Sequence, residues 1–267
     1  MITDSFDNKT EPVVRLEHFY GEKRHLADIC LVLLSHEIHR VVLEKYHCEK
    51  IAEIPMSNGI TPVYTFENDG QKLAFYLSPI GSAMAAHFTA EANWLTGAQK
   101  FIMFGSAGSL DAEKTNGKFI VPTEAYRDEG MSYHYAPPAD YIAVKNHEKV
   151  ARIFAELKIP YTTGRVWTTD AFLMETAGHL AKRRAEGCIA VEMELAGVQA
   201  VSDYYGYELY DFLAAGDVLS EEAYDADGLP DANHNLDKFL IALEIAKRIR
   251  FLPMGFTKYG KKPVRLF

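Results

Sequence analysis

Short apolar runs alternate with segments of helical periodicity along most of the 267 residues. Residues 27–34 (ADICLVLL) are rich in Ile, Val and Leu and predict a buried strand, after which residues 37–46 have helical spacing. Further strands are predicted at 62–66, 72–77, 100–104, 118–122, 161–168, 188–192 and 208–215, and further helices at 82–96, 146–157, 175–186, 193–205 and 234–249. This rhythm predicts one α/β domain over residues 1–267, with a central mixed β-sheet flanked by helices.

Small residues mark the expected turns between these elements. Asn68, Asp69 and Gly70 separate two predicted strands as in a hairpin. The strand at 100–104 is expected to end in a turn formed by residues 105–108 (GSAG). In open α/β sheets ligands bind beyond the carboxyl ends of strands, so side chains that directly follow strands are the first candidates for a site.

Charge and composition exclude several classes of protein. The formal net charge of −9 repels polyanions, which argues against a nucleic-acid partner. No apolar run approaches the ~18 residues of a membrane span, and the N-terminus lacks a leader pattern, so we expect a cytoplasmic protein that does not contact membranes. Cys30, Cys48 and Cys188 are expected to be free thiols. No cluster has metal-ligand spacing, so we expect no metal and no cofactor.

Two acidic residues stand at the end of the predicted strand at 188–192. Glu192 and Glu194 frame Met193 and precede the small residues of a helix start. A carboxylate in this position can accept hydrogen bonds from both hydroxyls of a vicinal diol such as ribose. The alternative is that both acids only stabilise the positive end of the following helix, and the residues alone leave this open.

The segment at 190–197 (AVEMELAG) closely resembles the signature of the nucleoside phosphorylase-I family. The resemblance implies that Glu194 binds the ribose 2′- and 3′-hydroxyls and that Met193 packs on the sugar. In purine-cleaving members an aspartate follows this glutamate by 23 residues, and Asp217 has that spacing. By resemblance Asp217 protonates the leaving purine at N7.

Weaker matches extend the resemblance to about residues 27–220. They imply that Ser106 and Gly108 contact phosphate, that Phe172 stacks on the base, and that His18 reaches the ribose of a neighbouring subunit. The segment 123–137 is similar to uridine-phosphorylase-like members. The family also implies a homodimer as the minimum unit, with a hexamer of three dimers as the larger assembly. A C-terminal helix and tail at 234–267 lie outside the resemblance.

The phosphate site departs from the family pattern. The turn after the first strand carries Ser35 instead of the family's Gly-Asp-Pro start, and His39 stands at the position of an arginine. Met103 replaces a second arginine, and no basic residue occurs at 57–59, where a third is expected. Phosphate recognition relies on bidentate guanidinium contacts, so His39, the adjacent Arg40 or the basic residues of the tail would have to replace them. Ser35 is expected to contact phosphate at the start of the following helix.

The resemblance implies cleavage of the N-glycosidic bond of a nucleoside. We expect phosphorolysis to free base and ribose 1-phosphate, with nucleoside and phosphate as the bound molecules and purines ahead of uridine. The missing arginines leave two alternatives, a nucleosidase that uses water and a nucleoside-binding protein without activity. A dinucleotide-binding oxidoreductase is disfavoured because residues 105–110 (GSAGSL) lack the third glycine of the G-x-G-x-x-G turn.

Overall fold

The computed structural model describes residues 1–221 and 223–249, which fold into one mixed sheet with helices on both faces. The strands are β1 (Ile29–Leu33), β2 (Glu49–Met56), β3 (Gly59–Asn68), β4 (Gln71–Leu77), β5 (Lys100–Ser109), β6 (Phe119–Asp128), β7 (Tyr141–Ala143), β8 (Tyr161–Thr169), β9 (Cys188–Glu192), β10 (Glu208–Leu219) and β11 (Tyr224–Asp225). The α-helices are α1 (Glu17–Tyr20), α2 (His36–Lys45), α3 (Ser82–Thr96), α4 (Ala112–Thr115), α5 (Ser132–Tyr135), α6 (His147–Glu156), α7 (Ala177–Ala185), α8 (Leu195–Tyr205), α9 (Leu229–His234) and α10 (Asp237–Ile249). Short 3₁₀ helices span Ile2–Asp4 and Phe172–Met174.

Part of the sheet closes on itself. The strand order is β11-β10-β6-β8-β9-β5-β1-β4-β3-β2, with β7 added beside β6. Because β10 also pairs with β5, the strands β5, β10, β6, β8 and β9 form a closed ring. Parallel and antiparallel pairs alternate irregularly around this ring, so the predicted α/β fold with a central mixed sheet flanked by helices is confirmed.

Strand β5 does not end at Phe104, and the predicted turn at 105–108 is wrong. Residues 105–107 pair in parallel with residues 213–215 of β10, and Gly108 and Ser109 pair antiparallel with β9. Partners on both sides therefore keep the small residues extended. The small side chains leave room beside the ring rather than bending the chain.

Several other boundaries differ from the sequence-based expectation. The strand β2 and the short helix α9 were not expected, and the last helix begins at Asp237 instead of residue 234. The predicted tail at 250–267 lies outside the described residues. Within the described ranges, no helix is both long and apolar enough to cross a membrane.

Two apolar layers hold the helices against the sheet. On one face α3 and α8 bury residues such as Phe88 and Val198, and on the other α2, α6 and α10 bury residues such as Val42, Phe154 and Phe239. Burial of such side chains contributes roughly 1.5–3 kcal/mol each, which fixes the helices that carry the loops at one end of the ring.

The helix α9 is held against the ring at two points. A Cβ on Gly228 would lie 2.5 Å from the carbonyl oxygen of Gly216, so only glycine permits this approach to β10. The buried ammonium of Lys238 donates to the carbonyl oxygens of Gly105, Ala232 and Asn233, at 3.2, 2.6 and 3.2 Å. Burial lowers the pKa of Lys238 to about 8. One side chain thus joins α10, α9 and β5.

We predict that Lys238→Met lowers the free energy of unfolding by about 2 kcal/mol, because three buried carbonyls lose their donor. Urea denaturation followed by circular dichroism measures this change. The matched control is Lys247→Met on the same helix, whose exposed ammonium contacts Asp69 at 3.2 Å and should contribute less than about 0.5 kcal/mol. Equal effects of the two substitutions would show that Lys238 does not anchor α9.

Candidate active site

A cavity of about 570 Å³ lies at the end of the closed ring of strands. Six of the nine site residues expected from the sequence line it, namely Ser106, Gly108, Phe172, Met193, Glu194 and Asp217. Its volume lies within the range of small-molecule sites. A cavity of about 810 Å³ on the other side of α9 contains none of the nine residues.

Glu194 is placed by the N-terminus of α8. Strand β9 ends at Glu192, whose Oε2 accepts hydrogen bonds from the backbone N–H groups of Glu194 (2.6 Å) and Leu195 (2.7 Å). The hydroxyl of Thr168 on β8 donates to Oε1 of the same carboxylate. Glu192 therefore stabilises the N-terminus of α8, whereas Glu194 faces the cavity.

The carboxylate of Glu194 is tied to a second helix start. Its Oε1 accepts a hydrogen bond of 2.7 Å from the N–H of Gly81, which precedes α3 and has φ +100°. Residues with a side chain rarely adopt this backbone conformation, so glycine is required for this N–H to point at Glu194. Burial raises the pKa of both Glu192 and Glu194, and the nearby Glu194 raises that of Glu192 further.

Asp217 lies inside β10 rather than after the end of a strand. Strand β10 continues to Leu219, where it pairs with β11, and its register with β5 shifts between Ala215 and Val218. A Cβ on Gly108 would lie 3.2 Å from Oδ2 of Asp217 and 2.4 Å from Cδ1 of Leu219. Gly108 therefore makes room for both side chains, a steric reason for glycine that the sequence analysis did not foresee.

Phe172 and Glu175 also line the cavity. Phe172 lies on the 3₁₀ helix and is 58% exposed. Glu175 follows this helix, and its pKa is raised to about 7 by burial and then by the charge of Asp217. The sequence analysis missed Glu175, since one acidic residue in a loop carries no recognisable pattern.

The two serines expected to bind phosphate are engaged by α9. The hydroxyl of Ser106 donates to Oδ1 of Asn233. The hydroxyl of Ser35 lies 2.9 Å from Nδ1 of His234 and accepts a hydrogen bond from the N–H of Ile38. Ser35 does not line the cavity. The hydroxyl groups of both serines thus already have partners in the chain's own helix α9.

The structure does not bring His39 to the cavity. Its ring packs with Tyr64 and Phe75 at centroid distances of 5.8 and 5.7 Å, and burial lowers its pKa, which disfavours the cationic form. Arg40, the other candidate, forms exposed ion pairs with Glu37 (2.8 Å) and Glu44 (2.6 Å). Neither side chain lines the cavity, and a contact of either with phosphate remains a prediction.

His18 also lies away from the cavity of its own chain. It stands on α1, where its Nδ1 accepts a hydrogen bond of 3.3 Å from the N–H of Arg15. Its contact with the ribose of a neighbouring subunit remains a prediction.

The charged side chains that line the described cavity wall are all acidic. Four carboxyl groups line it, those of Glu175, Glu192, Glu194 and Asp217, and no lysine, arginine or histidine of residues 1–221 and 223–249 does. The same part of the chain contains no group of three or more His, Cys, Asp and Glu side chains arranged to hold a metal ion. Neutral ligands with hydroxyl and ring N–H groups match this wall better than anions.

Comparison with known proteins shows to which family this chain belongs. The model of the phosphorylase superfamily matches residues 29–249. The chain is 22% identical to a DeoD-type purine nucleoside phosphorylase of Exiguobacterium sp., over 66% of this chain and 76% of the relative. It is 25% identical to the enzyme of that name from Caldanaerobacter subterraneus, over 76% and 89%. The chain therefore belongs to the phosphorylase superfamily.

A solved structure supports the fold. The 5′-methylthioadenosine/S-adenosyl homocysteine nucleosidase of Campylobacter jejuni superposes with a TM-score of 0.67 at 20% identity, covering 83% of this chain and 99% of that protein. The fold is thus shared by relatives named phosphorylases and by one named a nucleosidase.

Proposed function

We propose that this chain is a nucleosidase, which cleaves the N-glycosidic bond of a purine nucleoside with water. The observation that carries this proposal is the wall of four carboxyl groups without a described cation. The sequence analysis favoured phosphorolysis, whereas the cavity favours the hydrolytic alternative. The four carboxyl groups also disfavour nucleotides, whose phosphates are anionic.

Electrostatic repulsion favours water over phosphate as the second substrate. Like unit charges 4 Å apart repel by about 4 kcal/mol at an effective dielectric constant of about 20. A hydrogen bond from a neutral hydroxyl contributes only about 0.5–1.5 kcal/mol, and those of Ser106 and Ser35 already have partners in α9. Among the described residues that line the cavity, a phosphate dianion therefore finds few donors to offset the repulsion by the ionised carboxyl groups, whereas water needs none of them.

The ribose is assigned to the Glu194 side of the cavity. With Oε1 held by Gly81, Oε2 is the oxygen available to the vicinal hydroxyls, and Met193 supplies an apolar contact. Buried carboxylates give strong, charge-assisted acceptors, and their rigid placement holds the sugar before bond cleavage.

The base is assigned to Phe172 and Asp217. The exposed ring of Phe172 can stack on a purine, and Asp217, which lines the same cavity, can protonate it. Relatives named purine nucleoside phosphorylases, and one from Halorubrum lacusprofundi named guanosine phosphorylase, support a purine over uridine. A homodimer or hexamer completed by His18 of a neighbouring subunit remains part of the proposal.

The first experiment measures base release from adenosine, inosine, guanosine and uridine with and without inorganic phosphate. We expect purine release at equal rates in both conditions, because water is the nucleophile. Asp217→Asn should lower the rate by about 10²–10⁴-fold by removing the acid. Strict dependence on phosphate would contradict hydrolysis, and thermal stabilisation by inosine without release of base would indicate a binding protein.

A second experiment replaces Glu194 by Gln, which keeps the size of the side chain and removes its charge. We expect kcat/KM to fall by about 30- to 1000-fold, which corresponds to roughly 2–4 kcal/mol of transition-state binding. The control is Glu113→Gln, an exposed residue of α4, which should leave kcat/KM unchanged. Activity of the Glu194 variant within threefold of the parent protein would remove this residue from the ribose site.

A further inference from the structure

The loop that follows β6 contains a buried carboxylate outside the active-site cavity. Glu129 is 8% exposed and does not line the cavity at the end of the ring. Its Oε2 accepts hydrogen bonds of 2.9 Å from the hydroxyl of Ser82 and from the backbone N–H of Ser132. Its Oε1 accepts a hydrogen bond from the hydroxyl of Ser132. Three donors of the chain therefore hold this carboxylate in one orientation.

A buried cation supports the charge of Glu129 through Ser132. Nε of Arg127, which is 3% exposed, donates to the hydroxyl oxygen of Ser132 at 2.7 Å. The guanidinium lies 4.1 Å from the ring centroid of Tyr133 and donates to the carbonyl oxygen of Pro137 at 2.7 Å. Buried charges are retained where hydrogen bonds and an opposite charge compensate them, so Glu129 has the surroundings that a rigid buried carboxylate needs.

Ser82 connects this carboxylate to the ribose side of the cavity. It is the first residue of α3, is fully buried, and follows Gly81, whose N–H donates to Oε1 of Glu194. Gly81 has φ +100°, and a glycine does not hold such a value by itself because it samples many backbone conformations. The hydrogen bond from Ser82 to Glu129 fixes the next residue of the chain, and so constrains the direction of the Gly81 N–H.

The first turn of α8 packs against the same hydroxyl. A Cβ on Gly197 would lie 2.2 Å from Oγ of Ser82 and 3.3 Å from Cβ of Met131, so glycine leaves the space that this hydroxyl occupies. The start of α3, the loop after β6 and the helix that begins after Glu194 therefore meet at one point. A displacement of Ser82 would shift the donor of the Gly81–Glu194 hydrogen bond relative to its acceptor.

We propose that Glu129 is a positioning residue for the ribose, which acts through Ser82 and Gly81 on the carboxylate of Glu194. This inference rests on the proposed binding of ribose by Glu194. Glu129 itself lies outside the cavity and supplies a fixed acceptor that keeps the start of α3 in place. Glu194 then presents its free oxygen to the vicinal hydroxyls without reorganisation when the nucleoside binds.

The same loop is also joined to the base side of the cavity. The N–H of Gly130 donates to Oδ2 of Asp170 at 3.1 Å, and Asp170 lies two residues before Phe172. Replacement of Glu129 can therefore disturb both sides, whereas Ser82→Ala removes only the link to α3 and leaves the contact of Gly130 in place. Ser82→Ala is thus the sharper variant for a test of the ribose side.

The first test measures binding without turnover. Inosine and its free base hypoxanthine are titrated calorimetrically into protein with and without Ser82→Ala, in both cases with Asp217→Asn to slow consumption of the nucleoside. We expect Ser82→Ala to weaken inosine about tenfold and hypoxanthine by less than about twofold, because only inosine contains ribose. The matched control is Ser202→Ala on α8, whose buried hydroxyl donates to the carbonyl oxygen of Val198 at 2.7 Å and should leave both affinities unchanged.

The second test shows whether Ser82 and Glu129 act through Glu194. Ser82→Ala should lower kcat/KM for inosine about tenfold in the parent protein, but less than about twofold when Glu194→Gln is already present, because the oriented carboxylate is then gone. Glu129→Ala should show the same dependence on Glu194. Glu129→Gln should restore part of the activity, since its amide oxygen can accept the hydrogen bond of Ser82 in place of Oε2.

Other outcomes separate this inference from the proposed function. Equal losses of affinity for inosine and hypoxanthine, an effect no larger than that of Ser202→Ala, or losses that add fully to those of Glu194→Gln would overturn the positioning role even if hydrolysis is confirmed. Dependence of base release on phosphate would overturn hydrolysis alone, since phosphorolysis also requires a bound ribose. Failure of the parent protein to bind inosine would contradict both, and Ser82→Ala decides the question if Glu129→Ala does not fold.

Discussion

The carboxylate of Glu192 is the contact on which the candidate site depends. It accepts hydrogen bonds from two N–H groups at the start of α8 and from Thr168 on β8, so it fixes the helix relative to the ring of strands. The position of Glu194 follows from this cap, and the N–H of Gly81 then orients its carboxylate. Two acids separated by one residue thus have different roles, since Glu192 stabilises the helix start and Glu194 faces the cavity.

The helix α9 forms another part of the cavity wall. It is held by the buried Lys238 and by the close approach of Gly228 to β10, and its Asn233 and His234 engage Ser106 and Ser35. The buried ammonium of Lys238 donates its hydrogen bonds to backbone carbonyls. The same helix that completes the wall therefore removes the hydroxyl groups expected to hold phosphate, and leaves a cavity lined by acids.

The sequence predicted most of the core elements because buried strands and amphipathic helices have strong periodicity. It missed β2, whose residues are largely exposed on an edge and include Pro55, and α9, which is too short to show a period. It predicted a turn at 105–108 because composition cannot reveal that two neighbouring strands keep these residues extended. Motif spacing brought Glu194 and Asp217 together, whereas Glu175 becomes visible only when the loop folds over the cavity.

We infer that the carboxyl-lined cavity directs the sugar to water and not to phosphate. Phosphorus-31 NMR of a reaction with purine nucleoside and excess inorganic phosphate tests this inference, because the method observes the product bond itself. We expect the inorganic phosphate signal to keep its intensity while the free base accumulates and the sugar appears as ribose. A ribose 1-phosphate resonance that grows in proportion to the released base would contradict it.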